Sequence, residues 1–152
     1  MTTPAAPETW TLIEAVAERL RAIKIADGYY TDAGLDVVTE TVDHKDEPDA
    51  PQSTVFIDGS IDVKQETRKW TDVEVPVVAQ IRIPISAQRA QQMAHGAAAD
   101  VRRALNPSSG QISPDEFKAV IESIDIVPRP FGAAVIVVQA VLRASLRIYK
   151  PA

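Results

Sequence analysis

The chain has 152 residues, 45% of them apolar and 24% charged, with a formal charge of −5. This length suits one hydrophobic core and this composition suits a folded chain, which disfavours both wholesale disorder and two ordinary domains. With no cysteine, disulfides, thiolate metal sites and cysteine nucleophiles are excluded.

Basic residues lie singly or in pairs (Arg19 and Arg21, Arg68 and Lys69, Arg102 and Arg103), without the concentrated positive face of a duplex-binding protein. No apolar run reaches the roughly 18 residues of a membrane-spanning helix. Residues 1–7 lack the basic and apolar regions of a secretory signal, so the expectation is a cytosolic protein with no membrane partner.

The Pro-, Ala- and Thr-rich opening reads as a flexible arm over residues 1–8, ahead of one domain over residues 9–150. Leu12, Ile13, Val16, Leu20 and Ile23 recur at helical spacing, with Glu14, Glu18, Arg19, Arg21 and Lys24 opposite them. Thr11 and Glu14 fit a capping box, a start at Pro7 is the alternative, and Asp27-Gly28 supplies the stop.

Three strand-like runs follow: Leu35 to Val42, Ser53 to Ile57, and Val73 to Ile85. In the third, Val73, Val75, Val77, Ala79, Ile81, Ile83 and Ile85 alternate with mostly polar residues, which places one face in the core. Pro76 and Pro84 lack amide donors and predict an unpaired or bulged side near those positions.

Ser86 is the expected N-cap of a second helix running to Leu105, with Ala90, Met93, Ala94, Ala97, Val101 and Leu105 on one side. That mostly alanine stripe permits close approach but buries little area per residue, so the helix needs a large partner surface. A polar loop over Pro107 to Ser113, a helical turn near Pro114 to Lys118 and a strand over Ile121 to Val127 come next.

In the last strand Ala134, Ile136, Val138, Ala140, Leu142, Ala144, Leu146 and Ile148 form one apolar face. Val135, Val137 and Val141 make the first half of the other face apolar too, to be covered by a neighbour or by the chain itself. The order α-β-β-β-α-β-β, without internal repeats, predicts an α+β fold: a mixed, largely antiparallel sheet with two main helices on one face.

Motifs for chemistry are missing. The glycines, at positions 28, 34, 59, 96, 110 and 132, are too far apart for a phosphate-cradling loop. His44 and His95 have no partner at metal-ligand spacing. The loop Asp43-His44-Lys45-Asp46-Glu47-Pro48-Asp49 offers Asp43, Asp46, Glu47 and Asp49 together, yet it lacks the ligand order and central Gly of a calcium loop, and a solvated turn is the preferred reading. No catalytic residue, cofactor or metal is expected, and the protein is read as not an enzyme.

Interfaces are the better prospect. Gly59 to Asp72 is long for a connection, and Arg68, Lys69 and Trp70 within it suit contact with a partner, although Trp70 equally suits covering a core edge. Tyr29 and Tyr30 admit the same two readings. An enzymatic or ligand-binding reading would use carboxylates, Asp58 with Asp62 or Asp43 with Glu47, and requires a cleft.

The helix leading into Asp27-Gly28-Tyr29-Tyr30-Thr31-Asp32-Ala33-Gly34, the acidic loop before Ser53-Thr54-Val55-Phe56-Ile57, the helix ending Ala104-Leu105-Asn106, and the final alternating strand together resemble the tail terminator proteins of long-tailed bacteriophages, the siphoviruses. The resemblance covers Trp10 to Tyr149 by order of elements, and Gly28 to Gly34 is its motif-like part. The proline-rich stretch from Pro107 to Pro130 departs from it.

The resemblance implies a homo-oligomeric ring, commonly a hexamer, in the tail-neck region of a virion assembled in host cytoplasm. Such a ring caps the head-proximal end of the tail tube, stops polymerisation and provides the surface for head-tail joining. Its partners would be further copies of itself, the major tail tube protein and a head-tail connector or head completion protein. Genomic DNA would pass through the lumen without specific binding, and the negative charge would keep it off the wall. A different connector or head completion ring is the neighbouring alternative.

Overall fold

The computed structural model describes residues 6–105 and 117–151. The first helix, α1, spans Glu8–Arg21, so Glu8 is helical rather than part of an arm. The earlier of the two predicted starts is the one found: the Thr11 amide and hydroxyl both donate to the Pro7 carbonyl, at 3.0 and 3.2 Å. The capping box is not made, since Glu14 instead accepts the Thr39 hydroxyl at 2.9 Å.

α1 also ends sooner than Gly28. Ile23 N bonds back to Leu20 O, and the Gly34 amide returns to bond Ile23 O at 2.8 Å. A Cβ at position 34 would stand 2.5–2.7 Å from the carbonyl oxygens of Leu20, Arg21 and Ile23, so only glycine lets this strap cross the helix end. Gly28, at φ 89°, closes a separate 3-10 turn over Ile25–Asp27.

The expected strand over Leu35 to Val42 is reduced to β1, Val37–Val38, between the 3-10 turns Ala33–Leu35 and Thr41–Asp43. β2 is Gln52–Ile57, β3 is Asp62–Glu66 and β4 is Trp70–Pro84. The Gly59 to Asp72 segment is therefore not an irregular arm: it supplies β3 and the start of β4, joined as a hairpin.

The second helix, α2, covers Ala90–Ala104 and begins later than Ser86. The Ile85 amide is held by Ala134 O and the Ala87 amide by Pro84 O, so the chain leaves the sheet through a turn before helix begins. The Pro107 to Ser113 loop and residues 114–116 lie outside the described residues. Phe117 and Lys118, expected in a helical turn, already belong to β5, Phe117–Pro128. The last strand, β6, is Val135–Tyr149.

The sheet order is β1-β2-β4-β6-β5, with β3 also on β4. β1 runs parallel to β2, and every other pairing is antiparallel. β4 and β6 pair without interruption from Trp70 opposite Tyr149 to Pro84 opposite Val135. On its other side β4 receives β2 over Val77 to Arg82 and β3 over Thr71 to Glu74. The gap falls at Pro76, the predicted place, because a proline offers no amide to a partner strand.

Both helices lie on one face. Val73, Val75, Val77, Ala79, Ile81 and Ile83 of β4 and the alternate residues Ile136 to Leu146 of β6 pack beneath Leu12, Val16 and Leu20 of α1 and Ala94, Ala97 and Val101 of α2. The fold is α+β as expected, with one additional strand, β3, in the order. Among the described residues no helix is long and apolar enough to cross a membrane.

Candidate assembly interface

Alternation along β4 and β6 sends a second set of side chains to the face without helices. At the Pro84 end this face is covered by the chain itself. The acidic loop and the turn Pro130–Gly132 fold over it, and Val78, Val135 and Val137 are buried. Of the two predicted covers, the intramolecular one is found for Val135 and Val137, while Val141 stays half-buried.

Arg82 lies here and is only 3% exposed. Its guanidinium donates to Lys45 O, Gln80 Oε1, Gln52 Oε1 and Thr54 Oγ1 at 2.6–3.1 Å. All four acceptors are uncharged, and burial lowers the Arg82 pKa while Asp46 and Asp36 oppose that from a distance. The arginine therefore acts as a tie that holds the acidic loop onto the sheet. His44 contacts Asp46 at 3.2 Å, and Glu47 accepts the Ala134 amide at 3.2 Å.

Asp43, Asp46, Glu47 and Asp49 are exposed around this tie. Among the described residues no three His, Cys, Asp or Glu side chains group as a metal-holding cluster.

Beside the loop, the β5–β6 turn adopts strained backbone. Arg129 and Phe131 have φ of 48° and 53°, followed by Gly132 at 77°. Each non-glycine residue in this region costs on the order of 1–3 kcal/mol. The turn presents the Phe131 ring fully to solvent.

The opposite end of the same strands holds the other predicted cluster. Arg68 and Lys69 are exposed on the β3–β4 turn, where the Thr67 hydroxyl accepts the Lys69 and Trp70 amides at 3.2 and 3.1 Å. Trp70 is not displayed with them: it is half-buried beneath the Arg147 guanidinium, 4.3 Å from the ring centroid. Arg147 in turn grips Asp72 through two bonds of 2.8 and 3.2 Å, and this hydrogen bonding holds the Asp72 carboxyl below its ordinary value.

Trp70 is thus capped by Arg147 of the neighbouring strand β6. Among the described residues its Nε1 is the one buried side-chain polar atom left without a partner. Lys64 and Arg143 flank Glu74, and Arg143 also pairs with Glu122.

Tyr29 and Tyr30 sit on the helix side and diverge. Tyr29 stacks against Arg103 at 4.1 Å, and Arg103 also bonds Gly28 O. Tyr30 projects outward, 76% exposed. Their loop is fixed by Asp100, buried in α2, which accepts the Tyr30 amide, the Thr31 amide and the Thr31 hydroxyl at 2.7–2.9 Å. Gly96 makes room for the crossing, since a Cβ there would meet Tyr30 Cβ at 2.9 Å.

The structure therefore brings Tyr29, Tyr30 and Asp100 together on one face, and places Arg68 and Lys69 far from Asp43, Asp46, Glu47 and Asp49. The carboxylates Asp58 and Asp62 are exposed around the break at Pro76. Asp100, Arg82 and Phe131 escaped the sequence reading. A lone acid within an alanine stripe was the available signal for Asp100, and Pro128-Arg129-Pro130-Phe131-Gly132 for the turn.

No protein-family profile matches the chain, and no curated protein is similar to it.

Proposed function

We propose that this protein is a structural virion component, a ring-forming tail terminator that caps the head-proximal end of a phage tail tube and presents a surface for head-tail joining. The observation that carries the reading is the pair of unlike sheet edges. β5 lines one side, and β1 and β3 line the other. Two different, non-overlapping surfaces are what head-to-tail closure into a ring requires, whereas a two-fold dimer reuses one surface.

Both edges carry a bulge, between Ile121 and Ser123 in β5 and between Val63 and Gln65 in β3. Bulges and charges restrain indiscriminate strand addition at both edges. In this reading the work is steric: the ring covers the growing tube end, makes no covalent bond, and lets DNA pass.

The test is to mix the purified protein with tail tubes and image them by negative-stain electron microscopy. A ring-shaped cap at one tube end is expected. Bare ends at saturating protein would refute the terminator assignment, and binding only to the head-side neck would favour a head completion ring instead.

A further inference from the structure

The two ends of the long strands differ in charge and shape, and each supplies what the other lacks. β4 has 15 residues, about 50 Å at about 3.3 Å per residue. Around its Pro84 end lie four exposed carboxylates, Asp43, Asp46, Glu47 and Asp49, which outnumber the exposed bases Lys45 and Arg129 there and are not ion-paired to a lysine or arginine among the described residues. The protruding Phe131 shares a cavity with Asp46 and Glu47 there.

Around the Trp70 end lie Arg68, Lys69 and Lys118, exposed and without a carboxylate partner among the described residues. Beside them is an open groove of about 420 Å³ lined by Lys64, Asp72, Glu74, Lys118, Arg147 and Tyr149. Knob and groove sit at opposite ends of one strand pair, so they cannot meet within a single copy.

We propose that this groove is the seat for the Phe131 turn of a second copy, joining subunits head to tail. The turn brings a phenyl ring to the side of Tyr149, which is half-exposed and opposite Trp70. The acidic loop then faces Arg68, Lys69 and Lys118. Opposite excess charges on the two ends favour this orientation, and like ends repel. The strained backbone under Phe131 holds the ring outward before contact, so less freedom is lost on docking. The inference rests on the ring reading only in requiring that the chain self-associate.

Charge reversal at each end tests it. Asp46→Lys with Glu47→Lys makes both ends basic, and Arg68→Glu with Lys69→Glu makes both ends acidic. Size-exclusion chromatography with light scattering at low ionic strength should give oligomers for the wild type, at least ~10-fold weaker association for each variant alone, and restored oligomers for their equimolar mixture. Circular dichroism melts check folding, and Asp43→Lys with Asp49→Lys replaces the first pair if Glu47→Lys unfolds the chain.

Because the chain has no cysteine, Phe131→Cys combined with Tyr149→Cys should also yield a ladder of disulfide-linked copies under mild oxidation. A monomeric wild type, a mixture that fails to associate, or variants that associate like the wild type would each overturn the proposal. So would Phe131→Ala abolishing tube binding with the oligomer intact, which assigns the turn to the tube. Oligomers that survive without charge-swap rescue leave the ring reading standing; rescue with bare tube ends leaves self-association standing and removes the terminator reading.

Discussion

The two faces of the sheet are built from neighbouring residues of the same strands and solve different problems. The helix-covered face is aliphatic from Val73 to Ile83 and from Ile136 to Leu146, with every one of those inward residues buried. The other face is dry only where the acidic loop and the Phe131 turn lie on it. Towards the Trp70 end it becomes a ladder of Arg143, Glu74, Arg147 and Asp72. Exposed ion pairs add little net stability, whereas aliphatic burial adds about 25 cal/mol for each Å² removed from water. The first face therefore holds the molecule together, and the second is free to be specific.

Leu142→Ala is the strongest challenge to that division. It should lower unfolding free energy by about 2–5 kcal/mol in urea denaturation, since Leu142 is fully buried between sheet and helices. Asp100→Ala should follow at about 2–3 kcal/mol, because it strands two amides and a hydroxyl that the carboxylate now accepts. Hydrogen exchange should quicken at Tyr30 and Thr31 in the same variant.

Arg82→Met should cost about 1–3 kcal/mol, with the orphaned Gln52, Thr54 and Lys45 acceptors outweighing the relief of removing a buried cation. A cost for Arg82→Met above that of Leu142→Ala would show that the second face is structural after all.

Smallest is Asp72→Asn. The Arg147 hydrogen bond lowers the Asp72 pKa from 3.8, so its stabilising effect is present above that value and disappears as pH falls through the lowered one. The small stability gap between wild type and Asp72→Asn at neutral pH should close in acid, and a gap that widens there would contradict the assigned direction.

Much of the fold was legible because β4, β6 and both helices carry clean periodicities over long segments. The strand β3 was not, since Asp62, Val63, Lys64, Gln65 and Glu66 are all exposed and leave no alternation to read. The short β1 fell the other way: Leu35 to Val42 is rich in strand formers, yet turns at either side leave only Val37 and Val38 paired. Of the candidate interface residues, composition pointed to Arg68, Lys69 and the acidic loop as exposed charge. It was silent on Arg147 covering Trp70 and on Arg103 covering Tyr29, because both contacts join segments distant along the chain.

Pro76 has an effect on how this protein can vary. β2 meets β4 with Ile57 opposite Val77, and β3 meets it with Asp62 opposite Glu74, so the two take their places on a shared guide independently of each other. A residue gained or lost inside β2 would turn its inward side chains outward. Within the four-residue link from Asp58 to Ile61 the same change turns nothing, which makes that link the natural point at which relatives of this chain can differ in length while keeping one sheet.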